Sequence, residues 1–210
     1  MEAEINGIKL TLHAHDSMFS PHAADRGTLA MLQCTEIKNG DKVLDLGCGT
    51  GIVGIYAAKL VGGENVVMTD CTSVCTEYAK SNAELNGVPE ITVCCGDGYQ
   101  NVAEKDFTLI LSNPPYHTDF SVAKAFIEGG YRRLAAGGRM VMVTKRLDWY
   151  KNKLTKVFGG VRVKELDGYF VFTAEKRAER AKSSAVKNQG GLSKKLERKM
   201  KGRAKHHDRI

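Results

Sequence analysis

The chain has 210 residues, 42% of them apolar and 26% charged, which is enough for one globular domain with a real core and an appendage. Its apolar runs are all too short for a membrane helix and the first twenty residues lack a signal-peptide core, so the expectation is a cytoplasmic protein. The net charge of +7 is uneven: residues 176–210 hold 13 of the 31 Lys and Arg but only 3 of the 24 acids, a net of +10, against −3 for the remainder. A basic arm on a slightly acidic body is therefore expected, rather than a generally basic protein.

Residues 1–40 read as a preface that packs on the domain that follows, with a turn at Asn6-Gly7 and a helix around Asp25–Ile37. From residue 41 to 175, short apolar runs alternate with amphipathic stretches, the pattern of a parallel sheet covered by helices on both faces. Strands are predicted at Val43–Leu46, Val66–Thr69, Ile91–Cys94, Phe107–Ser112 and Met140–Thr144. Helices are predicted near Ile52–Leu60, Ser73–Asn86, Phe120–Leu134 and Trp149–Val157. Thr72 or Ser73 and Asp119 are the expected N-caps, and Asn86-Gly87 and Gly137-Gly138 the expected stops. Two last strands, Val161–Glu165 and Tyr169–Thr173, are joined by Asp167-Gly168, a hairpin dipeptide. Beyond Glu175 the apolar content collapses, and Lys176–Ile210 has the composition of a solvated arm. Only Leu192, Leu196 and Met200, at i, i+4, i+8, suggest a thin helical stripe there.

The six cysteines fit a reduced compartment. The pairs Cys71/Cys75 and Cys94/Cys95 lack the C-x-x-C spacing of a metal knuckle, so no metal is expected.

Two segments carry chemistry. The first is Val43-Leu-Asp-Leu-Gly-Cys-Gly-Thr-Gly51, between a predicted strand and a predicted helix. Gly47, Gly49 and Gly51 permit a tight turn and a close backbone approach to a ligand. Asp45 precedes the first glycine by two. Asp70 closes the next strand, where a carboxylate can accept from ribose hydroxyls. Asp97, in a Gly-Asp-Gly turn, is placed to meet a base amino group. With Cys48, Cys71 and Gly98 beside them, these residues form the expected cofactor-binding set. As a nucleophile Cys48 is unconvincing; a small filler is the plainer reading. Such a loop alone is weak evidence, because dinucleotide dehydrogenases use a related one.

The second is Phe107-Thr-Leu-Ile-Leu-Ser-Asn-Pro-Pro-Tyr116, an apolar strand running into two of only four prolines. Proline fixes φ and restricts its predecessor, so Asn113, Pro114 and Pro115 form a rigid turn. That rigidity suits a clamp for a planar amine. Its two N–H groups can donate to the Asn113 side-chain oxygen and the Pro114 carbonyl, orienting the nitrogen. Asn113, Pro114, Pro115 and Tyr116 are the catalytic candidates, with Tyr116 able to stack on a base. His117, beside them, is a weaker candidate for a phosphate or ribose contact.

Leu44-Asp-Leu-Gly-Cys-Gly-Thr-Gly51 and Ser112-Asn-Pro-Pro-Tyr-His117 resemble motifs I and IV of class I amino-methyltransferases. The chain is similar, more particularly, to the catalytic domain of the 16S and 23S ribosomal RNA guanine-N2 methyltransferases, the methyltransferase small group. Phe19-Ser-Pro with Asp25-Arg-Gly-Thr28, Ser81-Asn-Ala-Glu-Leu-Asn-Gly87, and Lys145-Arg-Leu-Asp-Trp-Tyr150 with Lys156-Val-Phe-Gly159 extend the likeness over residues 15–175. The resemblance implies a Rossmann-like α/β fold with a seven-stranded, mostly parallel sheet, S-adenosylmethionine bound around Gly47, Gly49, Asp70 and Asp97, and methyl transfer at Asn113–Tyr116. It implies ribosomal RNA as partner, touched through the active-site face and the basic arm, and leaves monomer and homodimer both open. Two features depart from the pattern. The duplicated, inactive N-terminal domain of the characterised bacterial members is not in these residues, and their fourth-motif aromatic is usually Phe. Tyr116 is equally typical of N6-adenine and glutamine-N5 enzymes, which stay as alternatives beside a non-catalytic RNA-binding module. A nucleotide-dependent oxidoreductase would explain the loop but not Asn113 or the prolines.

Overall fold

A computed structural model describes residues 1–115 and 120–178. The described body holds nine strands and five α-helices, with two strands in a small hairpin and seven in one sheet. The hairpin pairs β1 (Glu2–Ile5) with β2 (Ile8–Thr11). Its two-residue turn, Asn6 at φ 50° and Gly7 at φ 81°, matches the right-handed strand twist. Next comes α1 (Arg26–Cys34), capped by Asp25, whose carboxylate accepts from the Thr28 N–H. This helix is shorter than the expected Asp25–Ile37. Thr35 turns extended and its hydroxyl bonds back to the Met31 carbonyl, closing the last turn.

The sheet follows in chain order: β3 (Val43–Leu46), α2 (Ile52–Val61), β4 (Val66–Asp70), α3 (Ser73–Leu85), β5 (Thr92–Cys95), β6 (Phe107–Ser112), α4 (Ser121–Arg133), β7 (Leu134–Thr144), α5 (Leu147–Phe158), β8 (Arg162–Leu166) and β9 (Tyr169–Glu175). A short 3₁₀ turn at Gly63–Asn65 leads into β4. The strand order is β5-β4-β3-β6-β7-β9-β8, parallel through β7 and antiparallel at β9 and β8. This is the seven-stranded class I methyltransferase sheet that the strand inventory implied.

Its central strands are apolar on both sides because each side faces helices. Val43, Leu109, Leu111, Val141 and Val143 join α1, α2 and α3 in one core. Leu44, Leu46, Phe107, Ile110, Met140 and Met142 join α4 and α5 in the other. The chain before α1 is stitched to α3 by two asparagines one turn apart. Asn82, fully buried, accepts from the His13 N–H at 2.8 Å and donates to the His13 and Thr50 carbonyls at 2.8 and 2.9 Å. Asn86 makes the same reciprocal pair with Thr11, at 3.1 and 2.7 Å.

One local expectation is corrected and another is narrowed. Gly137-Gly138 does not stop α4, which ends at Arg133; the pair lies inside β7. There Phe107 faces Leu134 but Leu109 faces Arg139, so the glycines form a bulge. Gly137 has φ 81°, and a Cβ on Gly138 would come within 2.8 Å of the Phe107 carbonyl. Thr72 stands at the N-cap of α3 as expected, though its hydroxyl donates to Asp70 and makes no side-chain capping bond. Ser73 is the first residue of the helix and not its cap. Asp119, the other expected cap, lies outside the described residues, as do Tyr116, His117, the arm beyond Ala178 and its Leu192, Leu196 and Met200 stripe. Among the described residues, no helix is long and apolar enough to cross a membrane.

Candidate active site

In the strand order, β3 is where the chain reverses direction across the sheet: β4 and β5 lie on one side of it, β6 and β7 on the other. Ligands of open parallel sheets bind at the carboxyl ends beside such a reversal. Four described segments singled out in the sequence are delivered to that edge. The glycine loop follows β3, Asp70 ends β4, Asp97 follows β5, and Asn113 follows β6. A cleft of about 500 Å³ lies between them, within the ordinary range for small-ligand sites.

The glycine loop is held by its neighbours. The Gly47 and Cys48 N–H groups both donate to the Thr69 carbonyl, at 2.9 and 3.0 Å, and the Gly49 N–H donates to Asp70 Oδ2 at 3.0 Å. Asp70 Oδ1 accepts from the backbone and hydroxyl of Thr72, both at 3.1 Å. These bonds fix the half-buried Asp70 carboxylate at the lip of the cleft and tie it to the glycine loop and to the start of α3. Asp97 is exposed on its turn beside Gly98, which receives the Thr69 hydroxyl on its carbonyl. Phe126, from α4, closes the cleft from the other face of the sheet. Its ring would lie 3.8 Å from a Cβ at Gly47 and 3.4 Å from one at Gly98.

Asp45 is 2% exposed, and its Oδ2 accepts from the Gly54 N–H in the first turn of α2 at 2.9 Å. Burial pushes its carboxyl up to about 7; the Gly54 bond opposes the shift and the charge of Asp70 adds to it. Burial, together with the charges of Asp45 and Asp70, drives the Cys48 thiol well above its ordinary range, which leaves it a filler and not a nucleophile. The exposed Cys71 and half-buried Cys75 are also shifted up, chiefly by desolvation.

On the far wall, Ser112 ends β6 fully buried and donates to the Leu46 carbonyl, fixing the start of the proline turn against β3. Asn113, half-buried, donates from Nδ2 to Asp25 Oδ2 at 2.8 Å and to Thr28 Oγ1 at 3.0 Å. Pro114 is buried and Pro115 exposed, both on the cleft wall.

The structure therefore brings Asp45, Gly47, Cys48, Gly49, Asp70, Cys71, Asp97, Gly98, Asn113, Pro114 and Pro115 onto one cleft. Gly51 stands apart. With φ 83° it is the residue before α2, and a Cβ there would lie 3.2 Å from Ala79, so it serves the approach of α2 to α3. Tyr116 and His117 are outside the described residues. Sequence reasoning missed Asp25, Thr28, Phe19 and Phe126 as cleft residues. The Asp-x-x-Thr spacing marks a helix cap and gives no sign of a contact 88 positions away.

Comparison with known proteins is consistent with this geometry. The methyltransferase small domain model matches residues 9–173. The chain belongs to that family. A ribosomal RNA small subunit methyltransferase C of Psychromonas ingrahamii is 29% identical over 170 residues, 79% of this chain and 48% of the relative. Its namesake from Hahella chejuensis is 32% identical over 158 residues, 73% of this chain and 46% of the relative. The chain thus spans about half the length of the curated relatives it matches. Among solved structures, the T. thermophilus 16S rRNA N2 G1207 methyltransferase, in complex with AdoMet and guanosine, superposes with a TM-score of 0.78 at 26% identity, covering 84% of this chain and 50% of that one. A Pyrococcus furiosus methyltransferase shares the fold, with a TM-score of 0.65 at 20% identity over 80% of this chain and 90% of that one.

Proposed function

We propose that this member of the methyltransferase small domain family is an S-adenosylmethionine-dependent N-methyltransferase acting on the exocyclic amine of a nucleic-acid base, and specifically on guanine N2 of ribosomal RNA. One observation carries the reading. A single cleft joins a glycine loop flanked by Asp45, Asp70 and Asp97 to a rigid Asn113-Pro114-Pro115 wall. The names of the relatives support ribosomal RNA as the substrate, and the N2 G1207 methyltransferase of T. thermophilus, bound to guanosine, supports the choice of base.

The residues fit the cofactor. Gly47 and Gly49 leave room for close backbone approach, the Asp70 carboxylate stands half-buried on the cleft, and the exposed Asp97 offers another acceptor. Asp45, buried on the same cleft, favours a cation once it is ionised. When bound, S-adenosylmethionine supplies an electrophilic methyl on a sulfonium.

An exocyclic amine is a poor nucleophile because its lone pair is delocalised into the ring. The Asn113 side-chain oxygen and the Pro114 carbonyl accept its two N–H groups and favour a pyramidal nitrogen, so positioning and electrostatics replace a strong base. The proline turn keeps both acceptors from relaxing away. The basic arm, 13 Lys and Arg in residues 176–210, supplies sequence-independent phosphate affinity.

The test is incubation with methyl-labelled S-adenosylmethionine and separate pools of 16S rRNA, 23S rRNA, tRNA, DNA and protein, followed by nucleoside and amino-acid analysis. Labelled N2-methylguanosine from 16S or 23S rRNA is expected. Labelled methylglutamine without any labelled nucleoside would overturn the reading.

A further inference from the structure

We infer that Asp25 and Thr28 are positioning residues that lock the side-chain amide of Asn113 with its oxygen toward the cleft, and so make the site select an amine. The inference rests on the cleft taking an exocyclic amine, as proposed above.

A primary amide is nearly symmetric in shape, and nothing in its sterics decides which end faces a ligand. Its polarity does. Both hydrogens of Asn113 Nδ2 have acceptors on α1 or its cap: Asp25 Oδ2 at 2.8 Å and Thr28 Oγ1 at 3.0 Å. A carboxylate oxygen accepts and does not donate. Turning the amide over would bring Asn113 Oδ1 against Asp25 Oδ2, a repulsion in place of a charge-assisted bond. Thr28, 6% exposed, fills the remaining position on the same nitrogen. Asp25 is itself held, because the same Oδ2 accepts from the Thr28 N–H at 2.9 Å as the cap of α1. Thr28 thus contributes two independent groups, a backbone donor that fixes Asp25 and a hydroxyl that fixes Asn113.

Rigidity alone would follow from the prolines; selectivity does not. With the oxygen presented, a ligand hydrogen-bond donor is welcomed and an acceptor at the same place is refused. With the amide free to turn, Asn113 can offer either end and the preference fades.

Two variants separate this role from capping. Asp25→Ser keeps a good N-cap but shortens the reach toward Asn113. Thr28→Val keeps the backbone donor and the volume while removing the hydroxyl. Nucleoside binding is measured by calorimetry in saturating S-adenosylhomocysteine, with guanosine against inosine, which lacks the 2-amino group, and adenosine against purine riboside. The wild-type protein is expected to prefer the amine-bearing member of one pair by roughly tenfold, about the net worth of a good hydrogen bond. Asp25→Ser should reduce that ratio to within threefold and lower kcat about tenfold or more. Thr28→Val should fall between the two, and S-adenosylhomocysteine affinity should stay within twofold for both. An undiminished ratio in Asp25→Ser, with kcat or stability reduced, would show a merely structural role and overturn the inference. A wild-type preference for adenosine would overturn guanine as the base, and the inference would then be read on that pair. A wild-type protein that distinguishes neither pair overturns both.

Discussion

Asp45→Asn should stabilise the chain, and by an amount that depends on pH in a definite way. The carboxyl is 2% exposed and its native pKa is raised from 3.8 to about 7, chiefly by burial. In the unfolded chain it ionises near pH 4, whereas in the native state it keeps its proton until about pH 7. Between these values the native state binds more protons than the unfolded one, so stability declines as pH rises. The slope for one such group is about 1.4 kcal/mol per pH unit, and beyond about pH 8 both states are ionised and the loss is complete. The asparagine carbonyl can still accept the Gly54 N–H, and no charge forms. The stability difference between variant and wild type should therefore grow by roughly 2.3 kcal/mol from pH 5 to 7, reach roughly 2.6 kcal/mol by pH 8 and then level off. For a chain of this size that is about 5–10 °C of relative Tm. Thermal unfolding of both proteins without ligand at pH 5, 6, 7 and 8 reads it directly, because every other titrating group cancels in the difference. A difference constant from pH 5 to 8 would show that Asp45 is not upshifted, and the account of the buried acid would fail.

Affinity for cationic S-adenosylmethionine should rise as pH passes upward through about 7, since only ionised Asp45 favours the charge. Wild type should gain threefold or more between pH 6 and 8 by calorimetry, while Asp45→Asn should show no such gain. Asn113→Ala should cut methyl transfer by about a hundredfold or more and leave S-adenosylmethionine affinity within a few-fold; equal loss of both would make the residue a binding or folding element. Asn82→Leu removes three hydrogen bonds of a fully buried side chain that join the chain before α1, α3 and the glycine loop. It should cost about 3–5 kcal/mol in urea unfolding, and a cost below about 1 kcal/mol would deny the stitch its importance. Truncation after Ala178 spares Lys176, whose ammonium bonds the Leu134 carbonyl. It should weaken RNA binding and flatten the salt dependence of the binding constant; an unchanged slope would remove the arm from RNA contact.

What was legible in the sequence was local chemistry. A strand buried on both faces announces itself as an unbroken apolar run, which is why Val43–Leu46 and Phe107–Ser112 coincide with the observed strands. The Asp167-Gly168 hairpin is equally local, since both residues need positive φ and find it at 51° and 75°. The misreadings arise where one local signal serves two masters. Two adjacent glycines are a common helix stop, but Gly137-Gly138 answers to the Phe107 carbonyl across the sheet and makes a bulge. A threonine before a helix is a plausible cap, and Thr72 does hold that position, but its hydroxyl makes no capping bond and instead donates to the Asp70 carboxylate that organises the glycine loop.

The active site divides along the same line. Asn113, the prolines, Asp70 and the glycines are visible in sequence because each is an unusual residue for its local position: an amide before two prolines, an acid at a strand end, a run of small residues in a turn. Their chemical competence is not visible, because it is set by residues that look ordinary where they stand. Asp25 is an unexceptional cap, and Thr28 is an unexceptional residue in the first turn of α1. They acquire a catalytic consequence only because α1 packs along the sheet and puts its N-terminus beside the end of β6. An Asn-Pro-Pro segment with no carboxylate behind it would be as rigid and much less selective. On the proposed reading the motif offers a place for an amine, and the helix cap across from it decides that an amine, and not a carbonyl, is what the place accepts.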